Sequence, residues 1–249
     1  MGLMNNLKTK KDVATDEDRI GGGFQLLDTN LYAGTIKYAY VSVSDSGAMA
    51  LNLQVDVDGQ THSQTEYMTS GEAKGCSNTY KDQQGNEKYL PGFIFANSLC
   101  LLAVGEEIAD LEPEEKVINL YNRQESKEMP TKVQMLMELV GVDIKFLLER
   151  QEVDKQVKND AGSYVNSGET REINKIVKFV RPRDNMTVTE IQAEAEEAIH
   201  VEKWVEKFAG EVINRAKGAS SGSGAKSGSP AKGGKTEQTT TQSVKSLFK

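Results

Sequence analysis

Two cysteines and two histidines are all that 249 residues contain. Cys76 and Cys100 are far apart in the chain, and His62 and His200 are distant from both, so no metal cluster can be written with ordinary ligand spacing. Both thiols are expected to be structural, with Cys100 filling a small buried space inside Ser98-Leu-Cys-Leu-Leu102. Also missing are a Gly-x-Ser-x-Gly elbow, a phosphate loop and a dinucleotide fingerprint. Gly21-Gly22-Gly23 has no strand before it and no clear helix after it, and reads as a flexible lead-in. No cofactor and no metal is expected. No run approaches the roughly 18 apolar residues of a membrane span. The first residues, Met1-Gly-Leu-Met-Asn-Asn-Leu-Lys8, lack an apolar stretch of secretory length, so a cytoplasmic setting without membrane contact is expected. An excess of positive charge is absent too: 30 Lys plus Arg against 37 Asp plus Glu give −7, which excludes a duplex-coating protein of the histone kind. Hydrophobic residues reach only 37% and mean hydropathy is −0.52, so part of the chain is expected outside any core.

That part is the C-terminus. From Gly218 the composition collapses to Gly, Ser, Ala, Lys and Thr, which cannot bury enough apolar surface to order itself. The expected organisation is a flexible arm over 1–22, one domain over 23–217 and a disordered basic tail over 218–249. Lys226, Lys232, Lys235, Lys245 and Lys249 against Glu237 give the tail +4, and a chain of −7 leaves the remainder at −11. The tip, Val244-Lys-Ser-Leu-Phe-Lys249, returns apolar bulk to a polar leash, so Lys245, Leu247, Phe248 and Lys249 read as a docking peptide for a partner. An inert solubilising tail is the plainer alternative.

Within the domain, period two dominates the first half. Met49, Leu51, Leu53, Val55 and Val57 alternate with polar residues in a half-buried strand. Leu31 to Val43, rich in aromatic and β-branched residues, is its hairpin partner across the Ser44-Asp-Ser-Gly47 turn. Thr61 to Thr69 reads as a third strand, followed by a polar excursion from Ser70 to Leu90. Phe93 to Val104 reads as a helix on the barrel's end and Glu115 to Tyr121 as a short extended piece. Pro130 and Gly141 bracket a second expected helix, Thr131 to Val140. Val142, Ile144, Phe146 and Leu148 alternate as a strand with Phe146 in the core; a polar loop over Lys155 to Thr170 and a last strand over Glu172 to Val180 follow. Thr187-Val-Thr-Glu190 fits a capping box opening a long amphipathic helix to about Lys217, with Trp204 as a core anchor rather than a ligand platform. The expected fold is mainly β with helices (α+β): a five-stranded OB-fold barrel with added helices, a helix lying between its third and fourth strands.

Three series, Tyr32-Ala-Gly-Thr-Ile-Lys-Tyr-Ala39, Ser44-Asp-Ser-Gly-Ala-Met-Ala-Leu-Asn-Leu53 and Asn78-Thr-Tyr-Lys-Asp-Gln-Gln-Gly-Asn-Glu-Lys-Tyr-Leu-Pro-Gly-Phe93, resemble the OB-fold single-stranded DNA-binding proteins of tailed bacteriophages. Leu139-Val-Gly-Val-Asp-Ile-Lys145, Asn174-Lys-Ile-Val-Lys-Phe-Val180 and the Trp-bearing segment extend the resemblance over about Leu26 to Lys217. It implies a protein that coats single strands without sequence preference during replication, recombination and repair; a replication protein or polymerase as the partner of the tail is an expectation from the tail's own tip, not from the resemblance. Such proteins commonly end in an acidic tail, whereas this tail is basic, so that mechanism does not carry over.

Sequence-tolerant binding of single strands needs aromatic faces for bases to stack on and cations that follow the phosphates. Tyr80-Lys81 and Lys88-Tyr89 interleave both in the excursion, with Lys74 inside it and Tyr67 leading in. Arg171, Lys175, Lys178, Arg181 and Arg183 add a second basic track, and Lys37 is expected to extend it. Plainer readings stand beside these: Tyr67 and Tyr38 as barrel-surface or core aromatics, Phe93 and Phe179 as core, and the cluster at 171–183 as a solvated face. Two rival classes are an adaptor acting through its tail and a metal-dependent nuclease using Asp56 with Asp58 or Asp16 with Asp18. The carboxylate pairs are better explained by strand exposure, a turn and a disordered start, so no enzyme is expected.

Overall fold

Where apolar and polar residues alternate, the chain is strand in the computed structural model, which describes residues 25–122, 125–159, 162 and 164–217. The arm over 1–22 and the tail over 218–249, with Lys245, Leu247, Phe248 and Lys249, lie outside the described residues. β1 (Asn30–Val43), β2 (Met49–Val57) and β3 (Gln60–Tyr67) form the expected meander. Leu51, Leu53, Val55 and Val57 of β2 are all buried, as their period requires. The excursion after β3 carries a separate two-stranded hairpin, β4 (Thr79–Lys81) and β5 (Glu87–Tyr89), and then α1 (Pro91–Ala103) begins with Pro91 in its first turn. β6 (Glu114–Asn122), β7 (Lys127–Met135), β8 (Asp143–Lys158) and β9 (Tyr164–Val180) follow.

One bulge organises the sheet. Ile36 pairs with Val55 and Tyr38 with Gln54, which leaves Lys37 as an extra residue that bends β1. Before the bend, residues 30–35 pair with β8; beyond it, Tyr40 and Val41 pair with Met135 and Gln134 of β7. The main path is therefore β3, β2, β1, β8, with β9 paired to the outside of β8 and the β6–β7 ribbon attached at the far end of β1. The core lies inside this curved sheet beneath α1, where Leu99, Cys100, Phe146, Leu148, Ile176 and Phe179 are fully buried or nearly so.

Four expectations need correction. The barrel is not closed: no backbone ladder joins β3 to β9. Gln64 stands between them instead, its Oε1 accepting from Ile176 N–H at 2.8 Å and its Nε2 donating to Ile176 C=O at 3.0 Å. A side chain in that position holds two strands further apart than the ladder spacing of about 4.8 Å. The helix over 131–140 is β7 and a single 3-10 turn, Met137–Leu139. Val133 and Met135 are buried while Lys132 and Gln134 are exposed, and this short run fits period two as well as a helical one. The described residues of the expected polar loop over 155–170 belong to the outer half of the β8–β9 ribbon, where Val157, Tyr164 and Val165 stand exposed and no buried side chain marks a strand period.

The long helix is broken into α2 (Val188–Gln192) and α3 (Ile199–Phe208), followed by β10 (Val212–Asn214), which pairs parallel to β8. The chain leaves helical geometry at Glu194, whose φ is 51°, and Glu190 ties the two pieces together. Its carboxylate completes the expected capping box with Thr187 and also accepts from His200 N–H at 2.7 Å, drawing the first turn of α3 back onto α2. Trp204 packs, half-buried, beside Leu147, Val180 and Val201, with the Phe208 ring 5.5 Å away. No helix among the described residues is long and apolar enough to cross a membrane.

Candidate nucleic-acid interface

The β4–β5 hairpin owes its shape to Asp82. One carboxylate oxygen accepts from the backbone N–H groups of Gln84 and Asn86, both at 2.9 Å, and the other pairs with Lys88 at 2.8 Å. Lys88 and these donors hold the Asp82 carboxyl well below the usual carboxylate range despite some desolvation. Across the ladder Tyr80 lies opposite Lys88 and Thr79 opposite Tyr89. The Tyr89 ring rests on Phe93 of α1 at a centroid distance of 4.9 Å. Gly92 permits this docking: a Cβ there would run into the Tyr67 carbonyl, so only glycine lets α1 start against the end of β3.

Hairpin, α1, β3 and β9 together enclose a groove of about 630 Å³. Ile94, Phe95, Val177 and Phe179 give it apolar walls, and Tyr80, Lys88 and Tyr89 form its hairpin side. Phe95 is fixed by Phe179, ring centroids 4.7 Å apart. Lys175 and Lys178 come from β9 and Glu66 from β3. Three lysines against one glutamate make the lining net positive in a body that is −11. Lys175 Nζ sits 3.1 Å from Glu66. Burial pushes the Lys178 ammonium below its ordinary value, partly offset by Glu190.

Of the residues singled out from sequence, Tyr80, Lys88, Tyr89, Lys175 and Lys178 meet in this groove. The others stand outside its lining. Lys37, at the bulge, is held by Asp56 at 2.7 Å and Thr61 at 3.3 Å. Arg181 is clamped by Asp184 through Nε and Nη2, at 3.0 and 2.6 Å, and Arg183 leans toward the same carboxylate at 3.6 Å. Lys74 and Lys81 are exposed on the excursion, and the Tyr67 ring is open to solvent. Phe179 is core as expected, and Phe93 is half-buried beneath Tyr89. Cys76 is exposed rather than structural, whereas Cys100 is buried and its thiol pushed up to about 12. Asp56 is engaged by Lys37 and by Gly59 N–H, as a strand-end turn requires.

Sequence reasoning missed Glu66, Ile94, Phe95 and Val177. A search for cations and tyrosines passes over a carboxylate, and the helix residues read simply as apolar. No family model matches this sequence, and no curated protein matches it.

Proposed function

We propose that this protein binds single-stranded DNA without sequence preference, through an OB-type module whose five strands are β3, β2, β1, β8 and β9. The strand order, and α1 lying between β3 and β8 in the chain, support that fold. In this reading Gln64 bridges the seam where a closed barrel would have a ladder, and the β6–β7 ribbon is an insertion. The observation that carries the function is the groove itself. Exposed Tyr80 and Tyr89 stand beside Lys88 on one side, Lys175 and Lys178 on the other, and the walls between are apolar. Bases stack on the tyrosines and phosphates run along the lysines, with no demand for a particular base.

The resemblance to phage proteins extends this to protection of single strands in phage replication, recombination and repair, in the cytoplasm of a host cell. The tail then recruits a replication protein or a polymerase. No catalytic step is part of the reading. A second reading, a non-enzymatic adaptor, draws on Val117 and Tyr121, which expose apolar side chains on the β6–β7 ribbon.

Fluorescence anisotropy of labelled oligo-dT and of a duplex of equal length, at several salt concentrations, tests the proposal. The single strand is expected to bind more tightly, with affinity falling steeply as salt rises. Tyr80→Ala and Tyr89→Ala each weaken it by about 1–3 kcal/mol. Absence of binding at low salt, or tyrosine variants that bind like the parent, defeats it.

A further inference from the structure

Every lysine of the groove already lies within reach of a carboxylate's charge, but the three settings differ. Lys88 is held by Asp82 at the hairpin turn, outside the groove, and that carboxylate also holds two backbone N–H groups and keeps them whether or not Lys88 stays. Lys178 feels the charge of Glu190 without an ion pair to it, and the Glu190 oxygens are engaged by Thr187 and His200. Glu66 alone among these carboxylates lines the groove. Its Oε1 accepts from Lys175 at 3.1 Å and from Gln64 Nε2 at 2.9 Å, and its side chain is only 18% exposed. Its place is set twice over, by the ladder opposite Leu51 and by Gln64, which is fastened to Ile176, the neighbour of Lys175.

We infer that Glu66 is a built-in competitor of nucleic-acid phosphate for Lys175, limiting the affinity of the groove and disfavouring phosphate-dense ligands. The inference rests on the single-strand-binding reading. A phosphate that approaches Lys175 meets a carboxylate already at contact distance from the ammonium. It must either displace Glu66, which is left with Gln64 as its partner, or stay away from Lys175. Both outcomes cost affinity, because like charges in a partly shielded groove repel. A duplex, with twice the phosphate density, suffers more than a flexible single strand, which can thread its bases past Glu66 and keep its phosphates toward Lys88. Glu66 thereby acts as a specificity-determining residue that contributes selectivity for single strands without reading any base.

The test uses the full chain with Glu66→Gln, which keeps the shape and the Gln64 neighbour but removes the charge. Anisotropy titrations of labelled oligo-dT and of an equal-length duplex run from low to moderate salt, and thermal unfolding is followed alongside. Glu66→Gln is expected to bind oligo-dT roughly twofold to fivefold more tightly at low salt, the range for an ion pair whose carboxylate is 18% and whose lysine is 43% exposed. The slope of log K against log salt steepens by about 0.7, one further phosphate neutralised on a single strand. The preference for single strand over duplex narrows. Equal affinity and slope in the two proteins overturns the inference and leaves the binding reading intact, as does weaker binding by Glu66→Gln. No binding by the unaltered protein overturns both. Should Glu66→Gln unfold early, Lys175→Gln carries the same question: a competed lysine contributes little, so its loss shifts the slope by less than half of about 0.7. A full shift there overturns the inference.

Discussion

Replacing Gln64 by alanine removes four hydrogen bonds from one carboxamide. Two of them, to Glu66 and His62, join it to partly buried side chains of its own strand. The other two serve the peptide of Ile176, a residue with no exposed surface, and link β3 to β9 at a place where no ladder does so. A neutral hydrogen bond contributes about 1 kcal/mol net, and orphaning a buried partner costs about 1–3 kcal/mol, so Gln64→Ala is expected to lose about 2–3 kcal/mol. For a domain of this size that lowers the unfolding midpoint by roughly 5–10 °C. Urea titration followed by Trp204 fluorescence measures it, with an unchanged m-value showing that the unfolded state is the same. Gln64→Glu sharpens the test. Its carboxylate can still accept from Ile176 N–H but places a negative oxygen against Ile176 C=O and Glu66. At neutral pH it should be as harmful as alanine, and it should recover stability as pH falls, because the protonated carboxyl regains a donor. A loss below about 0.5 kcal/mol in Gln64→Ala would refute the claim that a side chain closes this seam.

Arg181→Ala should leave the salt dependence of DNA binding unchanged and lower stability by about 1–2 kcal/mol, since its guanidinium is clamped by Asp184 and only 14% exposed; a shallower salt slope would contradict that. In the native protein Ellman's reagent should titrate one thiol, Cys76, and reach Cys100 only on unfolding; two fast thiols would count against the burial that raises the Cys100 thiol. Burial also depresses His62 below its ordinary 6.5, and His200 shifts the same way by burial and by Lys178. The unfolded chain therefore takes up these protons first. Stability from this source is complete above pH 6.5 and declines as pH falls through that value, well before the carboxylates titrate. The urea midpoint should drop from pH 7.5 to 5.5, and drop less in His62→Gln; a flat or rising midpoint would contradict the sign.

What the sequence made legible follows from which forces are local. β2 and Phe146 carry their burial in a period of two, and α1 in a long apolar run that ends at Gly105, so both were readable without knowing any partner. β7 was not, because Val133, Met135 and Leu136 fit either period over so short a run, and Pro130, which resembles a helix start, is tolerated where β7 has no second neighbour. The break between α2 and α3 falls at Glu194 in a left-handed turn, and one carboxylate, that of Glu190, serves both helix starts, which no propensity reveals. In the groove, the alternation of tyrosine and lysine in β4 and β5 marked the correct residues. The basic run at 171–183 marked only two, Lys175 and Lys178, because the path of β9 and its exit decides which side chains reach the groove. Lys37 with Asp56 and Lys175 with Glu66 meet only through strand register, a long-range property.

The bend in β1 also has a consequence in time. Thr35 and Asp143, neighbours in the ladder and joined by a side-chain hydrogen bond, are separated by 108 residues. At a synthesis rate of roughly 5–20 residues per second, the first three strands emerge some 5–20 s before β8 exists to cover the outer edge of β1. During that interval residues 30–35 present unpaired backbone to any strand nearby, including the same segment on a neighbouring nascent chain. The Lys37 bulge lies at the inner end of this edge. It twists the strand away from a flat template, so the same bulge that lets β1 serve two partners in the finished sheet makes its open edge a poorer template while the second partner is still being made.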